Sequence, residues 1–137
     1  LFDTFLQLIE SLGDACDVVL ESSHEHKSHP KEYRREGIER ILLESQLWNF
    51  EDLLLNDGCT SIAVLHSEKP FEVQLDEHKL LIAYGPAMHT FETILSEQGV
   101  RQKKNLRVIS QGDHMHTSTS HHMTQFEDLV SQLHADV

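Results

Sequence analysis

Cysteine, proline and basic residues are all scarce in this chain, and each shortage closes a route. The two cysteines, Cys16 and Cys59, stand far apart and form no C-x-x-C. That argues against a disulfide framework or a thiolate metal clip, and it fits a reducing cytoplasm. Lys and Arg number 11 against 23 Asp and Glu, a formal charge of −12. Polyanion binding draws its affinity from clustered Lys and Arg, so nucleic acid and anionic membrane surfaces are poor partners for this chain. The one basic cluster, Arg101, Lys103, Lys104 and Arg107, is short and reads as a solvated turn. No apolar run approaches the roughly 18 residues needed to cross a bilayer. The opening LFDTFLQLIE is amphipathic and lacks the basic start of a signal peptide. Nucleotide and nucleophile motifs are missing too: there is no G-x-S-x-G, no Gly-rich phosphate loop and no dinucleotide fingerprint.

What is present suits one globular domain. The 137 residues are 39% hydrophobic and 25% charged, enough to bury a core without a staple. No repeat or low-complexity tract divides them, so residues 1–137 are read as a single α+β domain. The three prolines, Pro30, Pro70 and Pro86, fall at expected element boundaries.

Hydrophobic periodicity gives the order of elements. Phe2, Phe5, Leu6, Ile9 and Leu12 recur at helical spacing over 2–12, and Gly13 stops them. The β-branched run at Val18 and Val19 predicts a strand over 17–22, against a rival helix running from 2 to 22. Residues 22–31 read as a polar loop. Helices are predicted over 33–45, with Ile38, Ile41 and Leu42 on one face, and over 46–55, ended by Asn56-Asp57-Gly58; the two are also compatible with one bent helix. Ser61–Leu65, Phe71–Leu75 and Leu80–Tyr84 are joined by short turns and predict a three-stranded antiparallel meander. Its last member is apolar enough for a central strand covered on both faces. A helix over 87–98, a strand at 106–109 and a helix over 121–134, capped by Ser120, complete the chain. The expected fold is α+β: a mixed β-sheet, made of the antiparallel three-stranded meander plus one or two further strands, packed with helices in a two- or three-layer sandwich.

Histidine is the compositional anomaly, with 11 residues in 137. Most fall in two loops, each following a predicted strand. The first holds Glu21, His24, Glu25, His26 and His29. The second holds Asp113, His114, His116, His121 and His122. Each contains an H-x-H, and in extended chain residues i and i+2 share a face. Two imidazoles so placed can serve one divalent ion such as zinc or nickel, with a carboxylate completing the set. The candidate metal ligands are therefore His24, His26, His114 and His116 with Glu21 or Asp113, provided the two loops meet. The turn Asp76-Glu77-His78-Lys79 also gathers acid, base and cation, and reads as a solvated hairpin tip. Trp48, if exposed, becomes an interface residue.

Three functional readings stay open on these grounds. The leading one is a non-enzymatic interaction or regulatory domain of cytoplasmic location, engaging a protein partner or a second copy as a homodimer. The second is a divalent-metal-binding protein, or a metal-assisted hydrolase, built on the two His-rich loops. The third is a pH-responsive assembly switch, since protonating the histidines would bring the net charge close to zero.

Overall fold

The computed structural model describes residues 1–25, 29–104 and 117–137. Among the described residues ten elements follow one another: α1 (Phe2–Glu10), β1 (Ala15–Ser22), β2 (Lys31–Glu39), α2 (Arg40–Trp48), α3 (Glu51–Asn56), β3 (Thr60–His66), β4 (Glu72–Leu75), β5 (Leu81–Tyr84), α4 (His89–Glu97) and α5 (Ser120–Gln132). These five described strands make one sheet in the order β2-β1-β3-β4-β5, and every neighbouring pair is antiparallel. The fold is α+β, as the periodicity predicts. The sheet's strands, in every pair described, run antiparallel. The predicted strand at 106–109 lies outside the described residues.

Strand alternation divides the sheet into two faces. Val18 and Leu20 of β1, Ile62 and Val64 of β3, and Val73 and Leu75 of β4 are all buried and belong to one apolar cluster. Helix α1 contributes Phe5, Leu8 and Ile9 to that cluster, α2 adds Leu43 and Leu47, and α5 adds Phe126 and Leu129. Helices therefore lie on one face. Along the other face run Val19, Glu21, Glu32, Arg34, Ser61, Ala63, Glu72 and Gln74, which together line a shallow groove.

Three expectations need correction. The helix predicted over 33–45 is a strand up to Glu39 and a helix only from Arg40. Ile38 is buried opposite Cys16, while Ile41 is 72% exposed, so the two never shared a helical face. A bulge lies in β2 just before this junction. The register shifts between Cys16 and Val18, Gly37 takes φ +65°, and its N–H donates to Asp17 Oδ1 at 2.9 Å. Second, β5 is an edge strand and not a central one. Leu81, Ile82 and Ala83 are only half-buried, and Tyr84 is exposed. Third, the cap of α5 is Thr119, whose Oγ1 accepts from His122 N–H at 3.1 Å. The other helices and the meander fall where periodicity puts them. The segment predicted over 46–55 belongs to two helices, α2 and α3, separated at Asn49-Phe50.

Candidate functional site

The site lies where β1 ends and the turn after α3 approaches it. Pairing of β1 with β3 sets Ser22 opposite Thr60, and pairing with β2 sets it opposite Lys31. Beyond the strand, Ser23 N–H donates to Cys59 O at 2.9 Å. This holds the chain so that His24 turns inward. Asp57 follows α3 as its extended C-cap residue, and its N–H still donates to Leu53 O at 3.1 Å.

The His24 ring bridges two groups. Its Nε2 lies 2.6 Å from Asp57 Oδ2, and its Nδ1 lies 2.5 Å from Ser22 Oγ. The imidazole is 2% exposed and the Asp57 carboxylate 0%. Thr60 Oγ1 donates to the same Asp57 Oδ2 at 2.5 Å. Burial alone would raise the Asp57 pKa. The hydroxyls of Ser118 and Thr60 and the His24 ring outweigh it, and the carboxyl ends below its ordinary value. An ionised Asp57 only accepts, so Nε2 carries hydrogen. In the neutral ring, Nδ1 is then bare and accepts from the Ser22 hydroxyl.

A cation braces the turn that presents Asp57. Lys79 has φ +64° and sends Nζ to Leu54 O at 2.9 Å and Thr60 O at 3.2 Å, on either side of that turn. Burial pulls its pKa down to about 8, against the pull of Asp57, Asp76 and Glu77. The hairpin tip is therefore not simply solvated. Asp76 Oδ1 accepts from the N–H groups of His78 and Leu80 and shapes the tip so that Lys79 points inward.

Ser22 and His24 open onto a cleft of about 270 Å³ between the sheet end and α5. Tyr33, Met123 and Phe126 form much of its wall, with Lys31, His29, Glu25 and Glu127 also lining it. Phe126 packs between His24, with ring centroids 5.5 Å apart, and Tyr33, at 5.7 Å. On the far side of Asp57 stands His122, from the first turn of α5. Its Nε2 lies 3.1 Å from Asp52 Oδ2, and its Nδ1 lies 3.9 Å from Asp57 Oδ1.

Of the candidate metal ligands, His24 is at the centre of this arrangement. Glu21 is not, because alternation turns it to the other sheet face, in the groove with Glu32 and Arg34. Burial and the neighbouring Glu32 and Glu77 raise its pKa. His26, Asp113, His114 and His116 lie outside the described residues. Among the described residues, no group of three or more His, Cys, Asp and Glu side chains is arranged to hold a metal, and no helix is long and apolar enough to cross a membrane. Sequence reasoning passed over Ser22 as a strand end and Asp57 as turn chemistry. An S-x-H at the end of a strand was the only local signal, since i and i+2 share a face there. No protein-family model, curated protein or solved structure matches this chain.

Proposed function

We propose that the chain is a small hydrolase or acyl transferase in which Ser22 is the nucleophile, His24 its base and Asp57 the group that orients the base. The hydrogen-bonded line Ser22 Oγ–His24 Nδ1, His24 Nε2–Asp57 Oδ2 carries this reading. It has the three roles that activate a weak hydroxyl: nucleophile, base within reach, and a third group fixing the base. A histidine buried for structure alone would make the same bonds. The cleft that Ser22 and His24 both line favours chemistry over mere packing.

Catalysis in such a site proceeds by two transfers. Ser22 Oγ adds to the acyl carbon while its proton passes to His24 Nδ1, and Asp57 stabilises the imidazolium through Nε2–H. The proton then goes to the leaving group as its bond to the acyl carbon breaks, which leaves an ester on Ser22. Water then adds to the acyl carbon of that ester and gives a proton to Nδ1; the bond from the acyl carbon to Ser22 Oγ breaks, the acid leaves, and Nδ1 returns the proton to Oγ. Lys31, opposite Ser22 on β2 and lining the same cleft, supplies positive charge for the tetrahedral oxygen. The aromatic and methionine wall suits a small apolar acyl group. Hydrolysis of short-chain p-nitrophenyl esters tests the reading. Ser22→Ala and His24→Gln should each lower kcat/KM at least 100-fold while the fold is kept. Equal rates in wild type and Ser22→Ala would end it.

A second reading, an interaction domain, is favoured by the exposed apolar side chains of α2. Ile41 is 72% and Trp48 52% exposed, and they lie seven residues apart on one helical face. Sedimentation equilibrium checks it for a second copy of the chain. Self-association abolished by Trp48→Glu supports it, and a monomer at every concentration removes the homodimer.

A further inference from the structure

We propose that the cleft between the β3–β4 hairpin tip and the start of α4 binds a small monocarboxylate with an apolar body, at a site separate from Ser22 and independent of whether Ser22 reacts. The cleft holds about 230 Å³ and is lined by His66, Lys69 and His89 together with Leu12, Phe71 and Phe91. It opens at the opposite end of the sheet from Ser22. Along the pairing of β1 with β3, Ser22 faces Thr60 and Cys16 faces His66. At strand rise, the stretch from Cys16 to Ser22 separates the two places by about 20 Å.

The hairpin tip presents donors and positive charge. His66 Nδ1 accepts from the N–H groups of Glu68 and Lys69, both at 3.0 Å. Its lone pair is therefore on Nδ1, and the neutral ring carries its hydrogen on Nε2. Phe71 N–H donates to Lys69 O at 2.8 Å and His66 N–H to Phe71 O at 2.9 Å. These four bonds fix the turn from which Lys69 extends. Among the described residues Lys69 forms no ion pair. The clefts beside Ser22 and Trp48 and the groove on the open sheet face all carry carboxylates. None of the described Asp or Glu residues lines this one. In a chain of charge −12, that makes a local basic spot able to draw an anion.

The rest of the lining selects the kind of anion. Leu12 and Phe91 are 2% and 3% exposed, while Lys69 and His89 are exposed. The cleft is therefore apolar at its floor and basic at its mouth. Phe71 and Phe91 meet edge-on at 6.0 Å and offer ring surface to an apolar body. Inorganic phosphate fits poorly, because some of its polar oxygens would press unpaired against Leu12 and Phe91. A carboxylate has only two oxygens, and Lys69 Nζ and His66 Nε2–H can meet both. Pockets for drug-sized ligands hold about 300–1,000 Å³, so this cleft takes something smaller: a short-chain or single-ring acid.

Titration of the full chain with phenylacetate, followed by amide chemical shifts, tests the proposal. The expected result is saturable binding of roughly millimolar Kd, as so small a ligand allows, with the shifts centred on His66, Lys69 and Phe91. Lys69→Gln should weaken it about fivefold, the loss of one charge-assisted bond at a cleft mouth. Ala87→Glu, which sets a carboxylate in the lining, should abolish it. Both positions are exposed, so both variants keep the fold. 2-Phenylethylamine, the same ring on a cation, and inorganic phosphate should not saturate the cleft. Absence of saturation by phenylacetate overturns the proposal, as do shifts centred on Tyr33 and Phe126 instead. Equal affinity in wild type, Lys69→Gln and Ala87→Glu overturns it too, and so does equal binding of the amine or of phosphate. Esterase activity enters none of these readouts, so this site and the Ser22 reading fail separately.

Discussion

Truncating Asp57 to alanine should be among the costliest single changes in the chain. Two donors end on its Oδ2, His24 Nε2 at 2.6 Å and Thr60 Oγ1 at 2.5 Å, and the side chain is wholly buried. Removing it strands both donors where water does not reach. Each stranded donor costs about 1–3 kcal/mol. Two such donors, His24 Nε2–H and the Thr60 hydroxyl, give an expected loss of about 2–6 kcal/mol. Against a total stability of about 5–15 kcal/mol for a domain of this size, that brings the protein close to unfolding at room temperature. Asp57→Asn keeps the volume and one acceptor, and should cost about 1–3 kcal/mol. Urea unfolding followed by far-UV circular dichroism measures both, with the midpoint falling at constant slope. A loss under about 1 kcal/mol for Asp57→Ala would refute the reasoning, because the carboxylate would then not be the hub on which Ser22, His24 and Thr60 depend.

Other expectations follow from single residues. At Gly85 an added Cβ would run into the Phe71 ring, which itself packs edge-on against Phe91 at 6.0 Å; Gly85→Ala should therefore cost about 1–3 kcal/mol by denaturant titration, and a neutral result would show that Phe71 can move aside. Lys79 releases its proton near pH 8 when folded and at 10.5 when unfolded. Between those values unfolding takes up a proton, so this residue adds about 1–3 kcal/mol of stability as pH rises. Lys79→Met should flatten that rise in urea midpoints taken at pH 7.5 and 9.5. Burial pushes the Cys16 thiol up to about 11, so alkylation at pH 8 should proceed only at the rate of unfolding; rapid labelling of the native chain would contradict its buried placement.

Much of the fold was legible because its core follows simple periods. The meander of β3, β4 and β5 reads off three short apolar runs and two polar turns, and α1, α4 and α5 read off helical stripes. Strand β2 did not. Its residues Glu32, Arg34, Arg35 and Glu36 carry charge because it is an edge strand, and the spacing of Ile38, Ile41 and Leu42 imitates a helix across a strand–helix junction. Local composition could not show that only Ile38 of the three is buried. At the site, the histidine excess drew attention to His24 as a metal ligand, and the structure places its ring between Ser22 and Asp57. Its partners were hidden for different reasons. Asp57 lies 33 residues away and is delivered by the pairing of β1 with β3, which no local pattern encodes. Ser22 and Glu21 were separable in principle, since alternation sends neighbours to opposite faces. Taking Glu21 as the carboxylate overlooked that it must then point away from a core-facing Ser22.

The claim on which the functional reading depends is that His24 activates the Ser22 hydroxyl. Intact-mass spectrometry after treatment with a fluorophosphonate probe, followed by peptide mapping, measures it directly. Prediction: one adduct per chain on Ser22, formed at least 100-fold more slowly in His24→Gln and in Asp57→Asn that remains folded. An unmodified Ser22, or modification at the same rate when His24 is replaced, would contradict it.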